Sequence, residues 1–171
     1  MPSTHLSSDC PHSDCLVPPS VLDELAYLCD FGQTERVRRS AQEAMKQLRR
    51  ERRFRSLLEP PFDPAQAERL ASEFRHRGLL PQFEVHDSRI LAEATLLACA
   101  ILVTSDAHLR AIDHERLTLL LHPHELAPPV IATPRARELP FMTRAASRQS
   151  ILMHICRCIH LGSVPYSPPK E

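Results

Sequence analysis

Two aspartates near the middle of the chain have the spacing expected of a shared carboxylate site. Asp106 follows the apolar run at residues 100–103, and Asp87 lies 19 residues before Asp106. This spacing accommodates one helix, a turn and a strand. If the helix runs antiparallel to the strand, the helix start and the strand end lie at the same edge of the sheet, where open α/β sheets bind ligands. We therefore expect Asp87 and Asp106 to converge.

Glu24 is a third acidic candidate, because it lies one turn into a predicted helix that follows Val17-Pro18-Pro19. Its spacing allows it to approach the same edge but does not require this. Converging carboxylates need a counter-charge, and oxygen ligands select hard cations such as Mg²⁺ or Mn²⁺. Such a site can activate a water for in-line phosphoryl displacement. Residue types alone favour a simpler interpretation, in which these acids are helix caps.

Apolar periodicity and end signals predict the helices that would position these side chains. Helices are expected over about residues 21–31 with Ser20 as N-cap, over about residues 34–50, from Asp63-Pro64 to Gly78, after Asp87 as N-cap, and from about residue 107. Residues 144–161 have the pattern of an amphipathic helix. Glu93 is expected to face solvent or a partner, away from Asp87, because six residues correspond to about 600° of helical rotation.

The predicted strands alternate with these helices. The run at residues 100–103 has no polar alternation, which predicts a strand buried on both faces of a parallel sheet. Short strands are also expected at about residues 54–58 and 130–132. This order indicates an α/β fold with a parallel sheet. Thr104 and Ser105, at the end of the buried run, would either orient Asp106 or cap the following turn.

Composition limits the class of protein. The chain has 171 residues, 43% hydrophobic and 25% charged, which fits one globular domain and excludes general disorder. Basic and acidic residues number 21 each, so net charge does not indicate a nucleic-acid partner. Neither a secretory signal nor an apolar membrane span is recognisable, so we expect a cytoplasmic protein that makes no membrane contact.

A basic helix face is the strongest local charge feature. Residues 34–55 contain nine Lys or Arg residues against three Glu residues. Such a face can bind RNA phosphates, or it can be a solvated helix face supported by pairs such as Glu35 and Arg39. Both interpretations stay open on sequence alone.

The Cys and His residues near both ends suggest zinc as a further alternative. They are Cys10, His12, Cys15, His154, Cys156, Cys158 and His160. Their spacings differ from the paired two-residue knuckles of most structural zinc sites. A zinc-stabilised interaction module is therefore the third choice.

Three segments together resemble the acidic motifs of one known family. VPPSVLDEL, HDSRILAEA and AILVTSDAHL contain Glu24, Asp87 and Asp106, and VIATPRA resembles a closing strand with its proline. In this order they are similar to the PIN domain family, which includes the VapC-type ribonuclease toxins. The resemblance covers about 119 of the 171 residues.

The resemblance implies a three-layer α/β/α fold with a parallel sheet and a metal-dependent endoribonuclease activity. It implies that Glu24, Asp87 and Asp106 bind Mg²⁺, or Mn²⁺, and take part in catalysis, with Thr104 and Ser105 in support. It also implies an RNA substrate, an antitoxin partner and a homodimer, as in toxin members of the family.

The chain departs from the family pattern at its beginning. The family has a first strand that ends in Asp, and nothing before Leu16 has that character. We therefore expect an N-terminally truncated domain over residues 16–134, an irregular lead at 1–15 and an atypical tail at 135–171 with at most one helix. Loss of one carboxylate predicts little or no nuclease activity. The alternative function is a degenerate, inactive PIN remnant that binds RNA or protein.

Overall fold

The computed structural model of the chain describes residues 15–52 and 54–133 and the backbone of residues 155–157. Helices and strands alternate along these residues, which confirms the predicted α/β class. The strands are β1 (Cys15–Val17), β2 (Phe54–Ser56), β3 (Ile101–Val103), β4 (Val130–Ala132) and β5 (Ile155–Arg157). The helices are α1 (Pro19–Phe31), α2 (Glu35–Arg50), α3 (Pro64–His76), α4 (Val85–Leu96), α5 (Ala107–Arg110) and α6 (His114–Leu121).

Capping residues define the starts of most helices. Thr34 caps α2 by accepting a hydrogen bond from the backbone N–H of Val37 at 3.2 Å, and Asp63 caps α3 through the N–H of Ala65 at 2.9 Å. The prediction that Ser20 caps α1 is wrong, because this helix begins two residues earlier than predicted, at Pro19, with Pro18 at the N-cap. A proline at the first helical position lacks an N–H that would otherwise stay unpaired there.

The predicted cap at Asp87 is also wrong. α4 begins two residues before it, with Glu84 at the N-cap position, so Asp87 lies inside the first turn. Its side chain is 3% exposed. Glu84 occupies the N-cap position through its backbone, and its side chain makes no capping hydrogen bond.

The sheet is mixed, which corrects the prediction of a purely parallel one. Its strand order is β2-β1-β5-β3-β4. β1 pairs with β2, and β3 with β4, in parallel, whereas β5 is antiparallel to both β1 and β3. β1 and β3 therefore run in the same direction on either side of β5, and their carboxyl ends lie at the same edge.

The strand at Ile155–Arg157 contradicts the predicted helix over residues 144–161 at these three positions. The other residues of that predicted helix lie outside the described part of the chain. A strand inserted between two others gains ladder hydrogen bonds on both sides, an energetic gain that periodicity within the segment does not reveal.

β3 is less buried than predicted. Leu102 is fully buried, whereas Ile101 and Val103 are half-buried. Because side chains alternate across a strand, one face of β3 is fully covered and the other only partly. The predicted burial on both faces is therefore correct for one face alone.

α4 is the most deeply buried of the described helices. Along it, Ile90, Leu91, Ala92 and Ala94 are at most 1% exposed, and it packs against both α3 and α1. Small Ala side chains allow this close approach on several sides. In the described part of the chain, none of the helices is long and apolar enough to cross a membrane.

Truncation of the α4 core tests its importance for the fold. Leu91→Ala removes a fully buried side chain, so we expect the free energy of unfolding to fall by about 2–5 kcal/mol. The control is Leu58→Ala, since Leu58 is 82% exposed and a surface change of this kind costs within about 0.5 kcal/mol. Urea unfolding followed by circular dichroism measures both. Equal losses in the two variants would contradict the burial of α4.

Candidate metal centre

The carboxyl edge of β1 and β3 is where the predicted acidic residues follow the strands. α1, which carries Glu24, begins two residues after β1, and Asp106 follows β3 by three residues. Because both strands end at one edge, the topology brings these two segments to the same side of the sheet. This is the edge at which open α/β sheets bind their ligands.

Asp106 is held in place by two local hydrogen bonds. Its backbone N–H donates to Thr104 Oγ1 at 3.0 Å, and its Oδ1 accepts from the N–H of Leu109 at 2.9 Å. Asp106 is therefore the N-cap of α5, and the buried hydroxyl of Thr104 fixes the backbone that carries it. Ser105 is exposed. Of the two predicted supporting hydroxyls, Thr104 is the one that contacts Asp106.

Asp87 has the most perturbed carboxyl group of the described residues. Burial, followed by the negative charge of Asp106, a hydrogen bond and charge from Glu84, and the charge of Glu24, raises the pKa of Asp87 to about 8. The structure thus brings the three predicted acids, Glu24, Asp87 and Asp106, into one electrostatic neighbourhood. It adds Glu84, which the sequence analysis did not include.

Glu84 and His108 are the members of the site that the sequence analysis missed. The ligand atoms of Glu84, Asp87 and His108 all lie within 4.8 Å of one another. His108 Nδ1 lies 2.9 Å from Glu84 Oε1. The spacing in the sequence could have indicated both residues. Glu84 precedes Asp87 by three residues at a helix start, and His108 follows Asp106 by two residues.

Glu24 lies in a half-buried position on α1. Burial raises the pKa of its carboxyl group, and the charge of His86 partly counteracts this. His86 is on the first turn of α4, next to Asp87, so its effect on Glu24 places α1 and α4 side by side here. We call Glu24, Glu84, Asp87, Asp106 and His108 the acidic cluster.

Glu93 has a structural role that contradicts its predicted exposure. It is 1% exposed, and its two carboxylate oxygens accept hydrogen bonds from Ser20, one from Oγ at 2.7 Å and one from the backbone N–H at 3.1 Å. Helical rotation does carry Glu93 away from Asp87, but that face of α4 is covered by the start of α1. This contact fixes the first turn of α1, the helix that carries Glu24.

Arg89 supplies the nearest positive charge to Glu93. Its Nε lies 3.5 Å from Glu93 Oε1 and makes no hydrogen bond. Burial is the largest influence on Glu93 and raises the pKa of its carboxyl group, while the two bonds from Ser20 and the charge of Arg89 lower it. Ser20 is therefore the principal partner of this buried carboxylate.

The basic face of α2 is partly neutralised within the helix. Arg38 and Arg39 both bond to Glu35, at 2.9 and 2.8 Å, and Arg38 also donates to the carbonyl oxygen of Gly32 at 2.7 Å. These contacts favour the solvated-face interpretation for the first half of α2. The predicted zinc alternative depends mainly on residues outside the described part of the chain.

The link between Ser20 and Glu93 can be tested by a double-mutant cycle. Ser20→Ala leaves a buried carboxylate short of one donor, so we expect the free energy of unfolding to fall by about 1–3 kcal/mol. After Glu93→Gln, the same serine substitution should cost much less, since partners in contact are not additive. Ser105→Ala, at an exposed serine, is the control. Additive losses in urea unfolding would show that the two side chains act independently.

The pKa of Asp87 makes stability depend on pH in a defined direction. The folded state keeps a proton on Asp87 up to about pH 8, whereas the unfolded state releases it near about pH 4. The folded state therefore binds more protons in this window, and stability falls as pH rises through it.

We expect the melting temperature in chelator to fall from about pH 4 to about pH 8, and Asp87→Asn to reduce this slope. Burial raises the pKa of Glu24 and Glu93 in the same direction, so part of the slope remains. Asp30→Asn, at an exposed carboxylate on α1, is the control. A wild-type stability that rises over this range would contradict the crowding at Asp87.

Comparisons with known proteins give no functional assignment, so any assignment depends on the geometry of the acidic cluster. The sequence matches no protein-family model, and comparisons with curated proteins and with solved structures found no similar protein. The family resemblance of the three acidic motifs therefore stays a prediction from the sequence.

Proposed function

We propose that this chain is a PIN-like, divalent-cation-dependent endoribonuclease whose active site is the acidic cluster. The observation that carries the proposal is the state of Asp87. Its carboxyl group is buried among Asp106, Glu84 and Glu24 and has a pKa of about 8. Acids buried together in this way destabilise one another unless a proton or a cation compensates their charge.

The chemistry of the donor set fits a divalent cation. Glu84, Asp87 and His108 present ligand atoms within 4.8 Å of one another, and the charges of Asp106 and Glu24 act on Asp87 from the same neighbourhood. These residues would hold the ion. When bound, such an ion neutralises charge on a scissile phosphate and lowers the pKa of the attacking water.

His108 bears on the identity of the ion. Carboxylate oxygens suit Mg²⁺ and Mn²⁺, whereas imidazole nitrogen suits later transition metals and is a rare ligand of Mg²⁺. A site that includes both therefore favours Mn²⁺ over Mg²⁺. Mg²⁺ remains the ion that the sequence resemblance implies.

The protein's own groups orient the reaction. Thr104 and the first turn of α5 fix Asp106, the Ser20–Glu93 contact fixes the start of α1, and burial of α4 fixes Asp87. These carboxylates would thus be preorganised to hold a cation beside the phosphodiester. Preorganisation of this kind is a major source of rate enhancement.

The positions of the motifs support a PIN-like fold within the observed α/β class. Glu24 lies on the helix that follows β1, Asp87 at the start of a buried helix, and Asp106 after β3, as the resemblance implies. An antitoxin and a homodimer are implied by the same resemblance, but the proposed chemistry requires neither.

Little activity is expected if Glu24, Asp87 and Asp106 are the only metal ligands. The structure places Glu84 and His108 beside Asp87, so the cluster contains two further donors. These donors can replace the ligand that a first-strand Asp would supply. We therefore propose an active enzyme rather than the inactive one that the sequence suggested.

One observation favours the alternative, an inactive remnant that binds RNA or protein. His108 Nδ1 lies 2.9 Å from Glu84 Oε1, and Glu84 shares a hydrogen bond with Asp87. A proton on Asp87 and the contact of His108 with Glu84 can stabilise these acids without a cation. A measurement of cation binding therefore distinguishes the nuclease from the inactive remnant.

Cleavage by the purified full chain tests the proposal. We expect single-stranded RNA to be cut in Mn²⁺, to be cut more slowly in Mg²⁺ and to stay intact in chelator. Asp106→Asn should reduce the rate by at least about a hundred-fold, since it weakens a metal site. Asp23→Asn, at an exposed acid beside Glu24, is the control and should leave the rate unchanged.

Isothermal titration calorimetry with Mn²⁺ accompanies the assay. Binding of Mn²⁺ by the wild type, weakened in Asp106→Asn, supports the site. Failure to bind Mn²⁺, together with intact RNA, would refute the nuclease and favour the remnant. Binding without cleavage would retain the metal site and reject the enzymatic function.

A further inference from the structure

Phe83 is an aromatic side chain held in solvent at the border of the acidic cluster. It is 75% exposed, whereas Phe54 is 6% and Phe74 0% exposed. Single exposed apolar residues are common on protein surfaces, so exposure alone assigns no role. The residues around the Phe83 ring do indicate a role.

The turn that carries Phe83 is anchored on both sides. Gln82 Nε2 donates a hydrogen bond to the carbonyl oxygen of Arg75 at 2.7 Å. The N–H of Glu84 donates to the carbonyl oxygen of Pro81 at 3.1 Å. The ring is therefore presented from a fixed backbone rather than from a loose loop, and ordering it on ligand binding costs little entropy.

Phe83 contacts the acidic cluster directly. Its ring centroid lies 6.0 Å from that of His108, with an angle of 80° between the ring planes. His108 in turn bonds to Glu84 at 2.9 Å, and Phe83 and Glu84 are consecutive residues. A nucleotide whose phosphate lay at the cluster would therefore have a neighbouring base within reach of the Phe83 ring.

Arg110 adds a positive charge at the same border. It is exposed, and its Nε donates to the carbonyl oxygen of Asp106 at 3.1 Å. This places a guanidinium group beside the cluster, where it suits a backbone phosphate. By contrast, the exposed Tyr27 and Phe31 contact each other at 5.2 Å near the end of α1, one to two helical turns beyond Glu24.

We propose that Phe83 is the substrate-positioning residue of the site, a platform on which one unpaired base of the RNA stacks beside the bound phosphate. The proposal rests on the proposed function for the position of that phosphate. Aromatic side chains bind bases of any sequence in this way, because every base has a π-face. A base inside a duplex already stacks on its neighbours and cannot use the platform.

Binding to a substrate with and without bases tests this role independently of cleavage. The full chain is titrated in Mn²⁺ into a fluorescent, phosphorothioate-linked oligouridylate, and into an all-abasic oligomer of equal length and charge, with anisotropy as the readout. We expect Phe83→Ala to weaken binding of the oligouridylate about five- to hundred-fold, the range found for one stacked base, and to leave the abasic oligomer unaffected. Phe83→Trp should retain binding.

The controls separate stacking from other effects. Phe31→Ala removes an exposed aromatic residue away from the cluster and should change neither affinity. Unchanged Mn²⁺ affinity of Phe83→Ala shows that the site is intact. Arg110→Gln should weaken both oligomers equally, since a phosphate contact does not depend on the base.

Several outcomes would overturn the proposal. They are equal affinity of wild type and Phe83→Ala for the oligouridylate, an equal loss for both oligomers, or no binding of the oligouridylate by the wild type. The first result would show that the Phe83 ring does not bind a base. If the chain binds RNA through Phe83 yet does not cut it, the stacking platform stands and the nuclease function fails.

Discussion

The crowding of carboxylates around Asp87 is the constraint on which the site depends. Asp87 lies on α4, the helix with the most fully buried side chains, and is 3% exposed, so it cannot turn outward to avoid Asp106 and Glu84. In water such acids would separate at little cost. Inside a packed layer, burial and then the charge of Asp106 raise the pKa of Asp87. The rigidity of α4 thus converts an ordinary group of acids into a site that favours positive charge.

The contact between Ser20 and Glu93 extends this rigidity to α1. A buried carboxylate is tolerated only if its oxygens are paired, and both oxygens of Glu93 are paired with Ser20. α4 therefore contributes two buried acids with opposite tasks. Glu93 is satisfied and holds the neighbouring helix in place, whereas Asp87 is crowded by like charges. By fixing α1, the Ser20–Glu93 contact keeps Glu24 close enough for its charge to act on Asp87.

The sequence predicted the features that local chemistry determines. The predicted start of a helix at Asp63-Pro64 is confirmed, and Asp106 follows a strand at the predicted edge, because helix-start residues and apolar runs are short-range signals. Features set by distant partners were not predictable. Glu93 is buried because α1 covers it, and Ile155–Arg157 form a strand because β1 and β3 flank them. The convergence of Asp87 and Asp106 was inferred from topology, while Glu84 and His108 were overlooked although their spacing allowed them to join.

The same neighbourhood explains how the proposed cation site can stay folded without a metal ion. Glu84 shares a hydrogen bond with Asp87, and His108 Nδ1 lies 2.9 Å from Glu84 Oε1, so a shared proton and the histidine contact reduce the repulsion among these acids. A divalent cation would have to displace that proton, since carboxylate ligands bind metal in their ionised form. Metal binding would then exchange the proton on Asp87 for a divalent cation. Affinity for the ion should rise with pH while the empty fold becomes less stable, because both effects originate from the same proton on Asp87.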